Sequence, residues 1–95
     1  MICRRDVKIP NGKLLRVEVE IESGAVLRAS VCGDFFAYPE DIFEAAESDL
    51  AGVPADRIGE TALALFADPR LKIYGAKPGD IARALMEAAD AAQAG

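Results

Sequence analysis

From Leu15 to Glu22 the chain alternates without a break, with Leu15, Val17, Val19 and Ile21 apolar and Arg16, Glu18, Glu20 and Glu22 charged. A period of two puts the apolar set on one face of an extended strand and the charges on the other, so this segment belongs to a sheet with one dry and one wet face. Turn chemistry brackets it. Asn11-Gly12 precedes the run and Ser23-Gly24 follows it, and such dipeptides tolerate the positive φ that tight hairpins require. A short alternating run, Val7 to Ile9, lies before the first turn. Val26 to Cys32 reads as a third strand, with Leu27, Ala29 and Val31 expected on one side and Arg28 and Ser30 on the other. Three strands joined by two tight turns predict an antiparallel meander over residues 1–33.

The period then changes. Gly33-Asp34-Phe35-Phe36-Ala37-Tyr38-Pro39 forms a corner between the sheet and a helical remainder, residues 39–95. Proline presets φ for a first helical turn, and Glu40 and Asp41 follow where the helix dipole favours negative charge. Ile42, Phe43, Ala46 and Leu50 then fall at helical spacing, with Glu44 and Glu47 expected mostly outside, and Gly52-Val53-Pro54 supplies a stop. A second helix is expected over about 58–67, with Ile58, Ala62, Leu65 and Phe66 inward; Asp56 is placed to cap it and Gly59 to weaken its first turn. Leu71 to Gly75 reads as an extended connector with Ile73 inward. Pro78-Gly79-Asp80 opens a last helix with a narrow stripe of Ile81, Leu85, Ala88 and Ala92, whose alanine-rich end is expected to fray. The fold class is therefore α+β in one domain, 1–95: a three-stranded antiparallel meander with about three helices packed on one face.

Composition narrows the function. A formal net charge of -5 argues against nucleic acid, because phosphate binding depends on clustered Lys and Arg. No apolar run is long enough to span a membrane and no leader-like segment opens the chain, so a cytoplasmic location is expected. Cys3 and Cys32 form no CxxC pair and there is no histidine, which leaves no metal-ligand pattern and no general base titrating near neutrality. Neither a GxxxxGK[ST] nor a GxGxxG loop occurs, so no complete ATP-dependent active site is expected in this chain.

The run Ser30 to Asp41, preceded by Ile9-Pro10-Asn11-Gly12-Lys13-Leu14-Leu15-Arg16-Val17-Glu18-Val19, resembles the C-terminal accessory domain of lipoate-protein ligases, which in some prokaryotes is a polypeptide separate from the catalytic subunit. The match covers the first half well and the second half as a pattern of helices. It implies a fold similar to that of the iron–sulfur scaffold and sulfur-acceptor proteins, although two cysteines are too few to hold a cluster. It also implies an accessory, noncatalytic role in a heterodimer. The complex uses ATP, magnesium and lipoate to make lipoyl-adenylate and then lipoylates a lysine of a lipoyl domain; no cofactor is expected on this chain alone.

The expected partner interface is the corner itself: Gly33, Asp34, Phe35, Phe36, Tyr38 and Pro39. Adjacent residues of an extended segment face opposite ways, so one of the two phenylalanines is expected in the core and the other free to meet a partner. Lys8, Lys13 and Arg16 are candidate cations for the phosphate side of a partner's nucleotide site, against the plainer reading of surface charge at a hairpin. Tyr74 fits either packing or an interface. Two other readings compete with the accessory subunit. One is a small protein-binding adaptor unrelated to lipoate; the other is an enzyme built on Glu40, Asp41 and Glu44, residues that a helix start also favours as ordinary surface.

Overall fold

The computed structural model describes residues 1–94; Gly95, the last residue of the expected tail, lies outside the described residues. Strands β1 (Ile2–Lys8), β2 (Leu14–Glu22) and β3 (Ala25–Gly33) form an antiparallel sheet in the order β1-β2-β3. After them come β4 (Phe36–Tyr38), α1 (Glu40–Ser48), a 3-10 turn (Ala55–Arg57), α2 (Ile58–Phe66), β5 (Lys72–Tyr74) and α3 (Pro78–Ala94). The expected α+β class and the meander are both present.

Leu15, Val17, Val19 and Ile21 are all buried, as the alternation of β2 requires. Their partners on α3 are Ile81, Leu85 and a row of alanines. The outer face is a ladder of exposed ion pairs: Arg4–Glu18 at 2.7 Å, Arg16–Asp6 at 2.9 Å and Arg28–Glu20 at 3.2 Å. Ser23 and Gly24 both take positive φ, 53° and 77°, in the turn between β2 and β3.

Several local expectations are corrected. β1 begins at Ile2 rather than Val7, because pairing with β2 holds the polar stretch Arg4-Arg5-Asp6 extended where its own pattern carries no strand signal. In β3 it is Val26, not Leu27, that turns inward. A bulge shifts the register so that Glu20 faces Arg28 while Ile21 faces Val26, which leaves Leu27 as the extra residue and 48% exposed. Pro39 is the N-cap of α1, with extended ψ of 150°, rather than its first helical residue. Asp56 lies inside the 3-10 turn and makes no cap bond to α2.

Glu47 is half-buried rather than outside, and its carboxylate accepts the Val31 N–H at 2.7 Å. Together with Val26 N–H donating to the Val53 carbonyl and Gly52 N–H to the Val26 carbonyl, it covers the free edge of β3. Burial pushes the Glu47 carboxyl above its ordinary range, the Val31 N–H pulls it back, and Glu44 adds repulsion. Gly59 has a packing reason: a Cβ there would land on the Met86 side chain of α3. The alanine tail does not lack a surface to bury, since Ala88, Ala89 and Ala92 are all buried and the helix continues to Ala94. Alanine lets the helix sit close to the sheet.

The connector is the largest departure. Lys72–Tyr74 is a strand, and it pairs antiparallel with Phe36–Tyr38 to make a second, two-stranded sheet at the corner.

Candidate functional site: the aromatic ribbon

The ribbon starts from a bend that only glycine fits. Gly33 has φ of 147°, and a Cβ on it would collide with the Leu14 carbonyl oxygen. That carbonyl is held in place, because it accepts the Asp34 N–H at 2.9 Å while the Asp34 carboxylate accepts the Leu14 N–H at 3.3 Å. Asp34 thus closes the sheet end. The next two residues separate. Phe35 is partly buried and stacks at a tilt on Phe43 of α1, ring centres 5.6 Å apart, and Phe43 meets Phe66 of α2 at 5.2 Å. Phe36 points away and is 65% exposed.

Strand pairing then fixes what shares the outer face. Phe36 lies opposite Tyr74 and Tyr38 opposite Lys72, while Ala37 and Ile73 face inward. Tyr38 is 61% and Tyr74 63% exposed. Three aromatic rings with about 200 Å² apiece, each roughly two-thirds uncovered, make an apolar patch on the order of 350–400 Å². A patch of a few hundred Å² is within the range of the largest apolar patch on an ordinary monomer, and such patches are often functional, which makes this face the candidate site.

Two tethers hold the ribbon against the sheet. Asn11 in the first hairpin turn donates from its side chain to the Gly75 carbonyl at 2.8 Å, and its side-chain oxygen accepts the Lys13 N–H at 2.9 Å. Gly75, at φ of 97°, passes so close that a Cβ would stand 3.0 Å from the Asp34 carbonyl oxygen and 3.3 Å from the Phe35 Cα. Just before β5, Asp68 and Arg70 pair at 2.7 Å across a turn. The Arg70 guanidinium and backbone N–H hold the Asp68 carboxyl down at about 2.

Of the residues expected at an interface, Phe36 and Tyr38 sit on the exposed face of the ribbon. Phe35, Gly33, Asp34 and Pro39 lie behind or beside it in structural positions. The three candidate cations separate. Lys13 lines the hollow beside Phe36 and Tyr74, whereas Arg16 is tied to Asp6 on the outer face of the main sheet. Lys8 ends β1 opposite Leu14. Tyr74 and Lys72 join the face from a segment read as a connector; the only signal was the polar–apolar–aromatic order of Lys72, Ile73 and Tyr74. Cys3 and Cys32 lie on opposite faces of the sheet. Among the described residues no helix is long and apolar enough to cross a membrane.

A meander backed by helices, with a glycine-bent aromatic ribbon left uncovered at its corner, defines a small α+β domain. Its fold is similar to a chain from the structural analysis of an archaeal lipoylation system, a bi-partite lipoate protein ligase and its E2 lipoyl domain from Thermoplasma acidophilum. The TM-score is 0.76 at 25% identity, and the match covers 90% of this chain and 94% of that chain, so it runs nearly end to end in both. No family model matches the sequence, and no curated protein matches it. The resemblance read from the corner and the hairpin before it is thus borne out across the whole fold.

Proposed function

We propose that this chain is the accessory, noncatalytic subunit of a two-part lipoate-protein ligase, acting with the catalytic subunit in the ATP-dependent activation of lipoate to lipoyl-adenylate and hence in protein lipoylation. The observation that carries the reading is the nearly end-to-end likeness, at TM-score 0.76, to a chain of a bi-partite lipoate protein ligase system. The exposed ribbon of Phe36, Tyr38 and Tyr74 is the surface offered to the catalytic subunit, with Gly33, Asp34, Phe35 and Pro39 shaping it. Lipoyl domains are partners only through the complex, and the expected location is the cytoplasm.

ATP, magnesium and lipoate belong with the partner in this reading. Magnesium takes carboxylate and phosphate oxygens in octahedral geometry, and a face of aromatic rings and lysines does not suit it. The work left to this chain is mechanical and electrostatic. Seating a second rigid body over the adenylation site excludes water and limits the motion of loops around the adenylate, which strengthens the polar contacts made there.

Adenylate formation with purified components tests the proposal: this chain, a candidate catalytic subunit, ATP, magnesium and lipoate, each omitted in turn. Product that requires both chains supports it. A catalytic subunit that works equally well alone refutes the accessory role and leaves a docking module with another partner.

A further inference from the structure

The cations of this chain are divided by residue type and by place. Six of its seven arginines are in ion pairs: Arg4, Arg16, Arg28, Arg57, Arg70 and Arg83. None of the four lysines is paired with a carboxylate among the described residues. Three of the lysines surround the aromatic face. Lys72 lies on it, opposite Tyr38. Lys13 reaches along the Gly75 turn, its Cδ 3.4 Å from where a Cβ on Gly75 would be, and lines the hollow beside Phe36. Lys77 lines the next hollow, beyond Tyr74 and against Asn11.

The carboxylates that line the hollows with these lysines have other partners: Asp68, beside Lys72, is paired with Arg70 at 2.7 Å. Asp34 accepts the Leu14 N–H at 3.3 Å, and Asp80 accepts the Lys77 N–H at 3.0 Å and Arg83 at 3.4 Å. In a chain of net charge -5, three of the five cationic side chains outside ion pairs among the described residues, Lys13, Lys72 and Lys77, thus stand around the exposed aromatic face, while Arg5 and Lys8 lie on β1.

We infer that the ribbon docks on an acidic protein surface: apolar at its centre, to receive Phe36 and Tyr74, and rimmed by Asp or Glu side chains that meet Lys13, Lys72 and Lys77. The inference rests on the accessory-subunit reading and adds the chemistry of the partner's complementary face. Lysine is suited to such a rim, since a flexible ammonium on a long stem finds a carboxylate without fixed geometry. Rim charges act chiefly on encounter rate and selectivity, while the buried rings hold the complex together.

The test is binding of the catalytic subunit to the full chain and to a Lys13→Glu/Lys72→Glu/Lys77→Glu variant, at low and at high salt. The reversed variant should lose about tenfold or more in affinity at low salt, mainly through slower association, and its binding should no longer weaken as salt rises. A Lys→Arg triple should bind as the parent does. If the reversed variant proves unstable, a Lys→Gln triple gives the same reading with a smaller loss. Parent-like affinity and salt dependence in the reversed variant overturn the acidic-surface inference alone. Failure of the parent chain to bind the catalytic subunit at all overturns the accessory-subunit reading, and this inference with it.

Discussion

Phe35 and Phe36 are neighbours in sequence with opposite surroundings, so truncating each in turn separates what the fold needs from what a partner needs. Removing a fully buried Phe costs about 3–5 kcal/mol. Phe35 is only partly buried but loses its tilted contact with Phe43 at 5.6 Å, so Phe35→Ala should cost about 2–3 kcal/mol, a fall in Tm of roughly 10–20 °C for a domain of this size. Phe36 is 65% exposed, so Phe36→Ala should change stability by no more than about 0.5 kcal/mol. The ring can instead bury on the order of 130 Å² against a partner, an upper limit of about 3 kcal/mol at ~25 cal/mol per Å². A loss of about 10- to 100-fold in affinity follows once ordering costs are subtracted. Urea unfolding followed by circular dichroism measures the first quantity, and titration with the catalytic subunit the second. Equal stability losses in the two variants would refute the assigned orientation of the rings. Unchanged affinity in a Phe36→Ala/Tyr74→Ala variant would refute the ribbon as the docking face. The double change at Phe35 and Phe36 is the poorer test, because it removes a core ring together with the exposed one.

Two glycines make a controlled pair. Gly33→Ala meets the fixed Leu14 carbonyl at a positive φ and should cost about 2–4 kcal/mol, whereas Gly59→Ala meets the end of a flexible, half-exposed Met86 and gains helix propensity, so its thermal unfolding should stay within about 1 kcal/mol of the parent. Glu47 carries a pH signature. Its folded pKa is raised, so the native state holds that proton more tightly, a contribution fully present below the ordinary glutamate value and lost as pH rises through the folded one. Glu47→Gln keeps an oxygen for the Val31 N–H without the charge and should gain on the parent as pH rises through that window; Glu47→Ala orphans the N–H and should lose about 1–2 kcal/mol by denaturant melts. Ala88 has no exposed surface, so Ala88→Leu should overpack the seam with the sheet and cost about 1–3 kcal/mol, where a frayed tail would show no change in melting.

Legibility in the sequence followed the range of the interactions involved. Leu15 to Glu22 could be read because both faces and both turns are encoded within a few residues of one another. The split of Phe35 and Phe36 was legible for the same reason, as simple alternation along an extended segment. What escaped depended on partners distant in the chain. Arg4-Arg5-Asp6 is extended because β2 lies beside it, and Leu27 is exposed because of a bulge set opposite Glu20 and Ile21. Glu47 turns inward because a strand edge needs an acceptor. Tyr74 reaches the exposed face only through pairing with Phe36, nearly forty residues earlier. Local pattern thus placed two of the three exposed rings, Phe36 and Tyr38, and tertiary pairing supplied Tyr74.

The bond from Asn11 to Gly75 has a consequence for how fast the ribbon can act. Two short strands alone are marginal in water, yet this pair is pinned at its Phe36–Tyr74 end both by that bond and by Phe35 against α1. Its rings are therefore presented in their final arrangement before any encounter. Association need not wait for a segment to order itself, and amide protons within the ribbon should exchange with the slow protons of the core rather than with those of open loops.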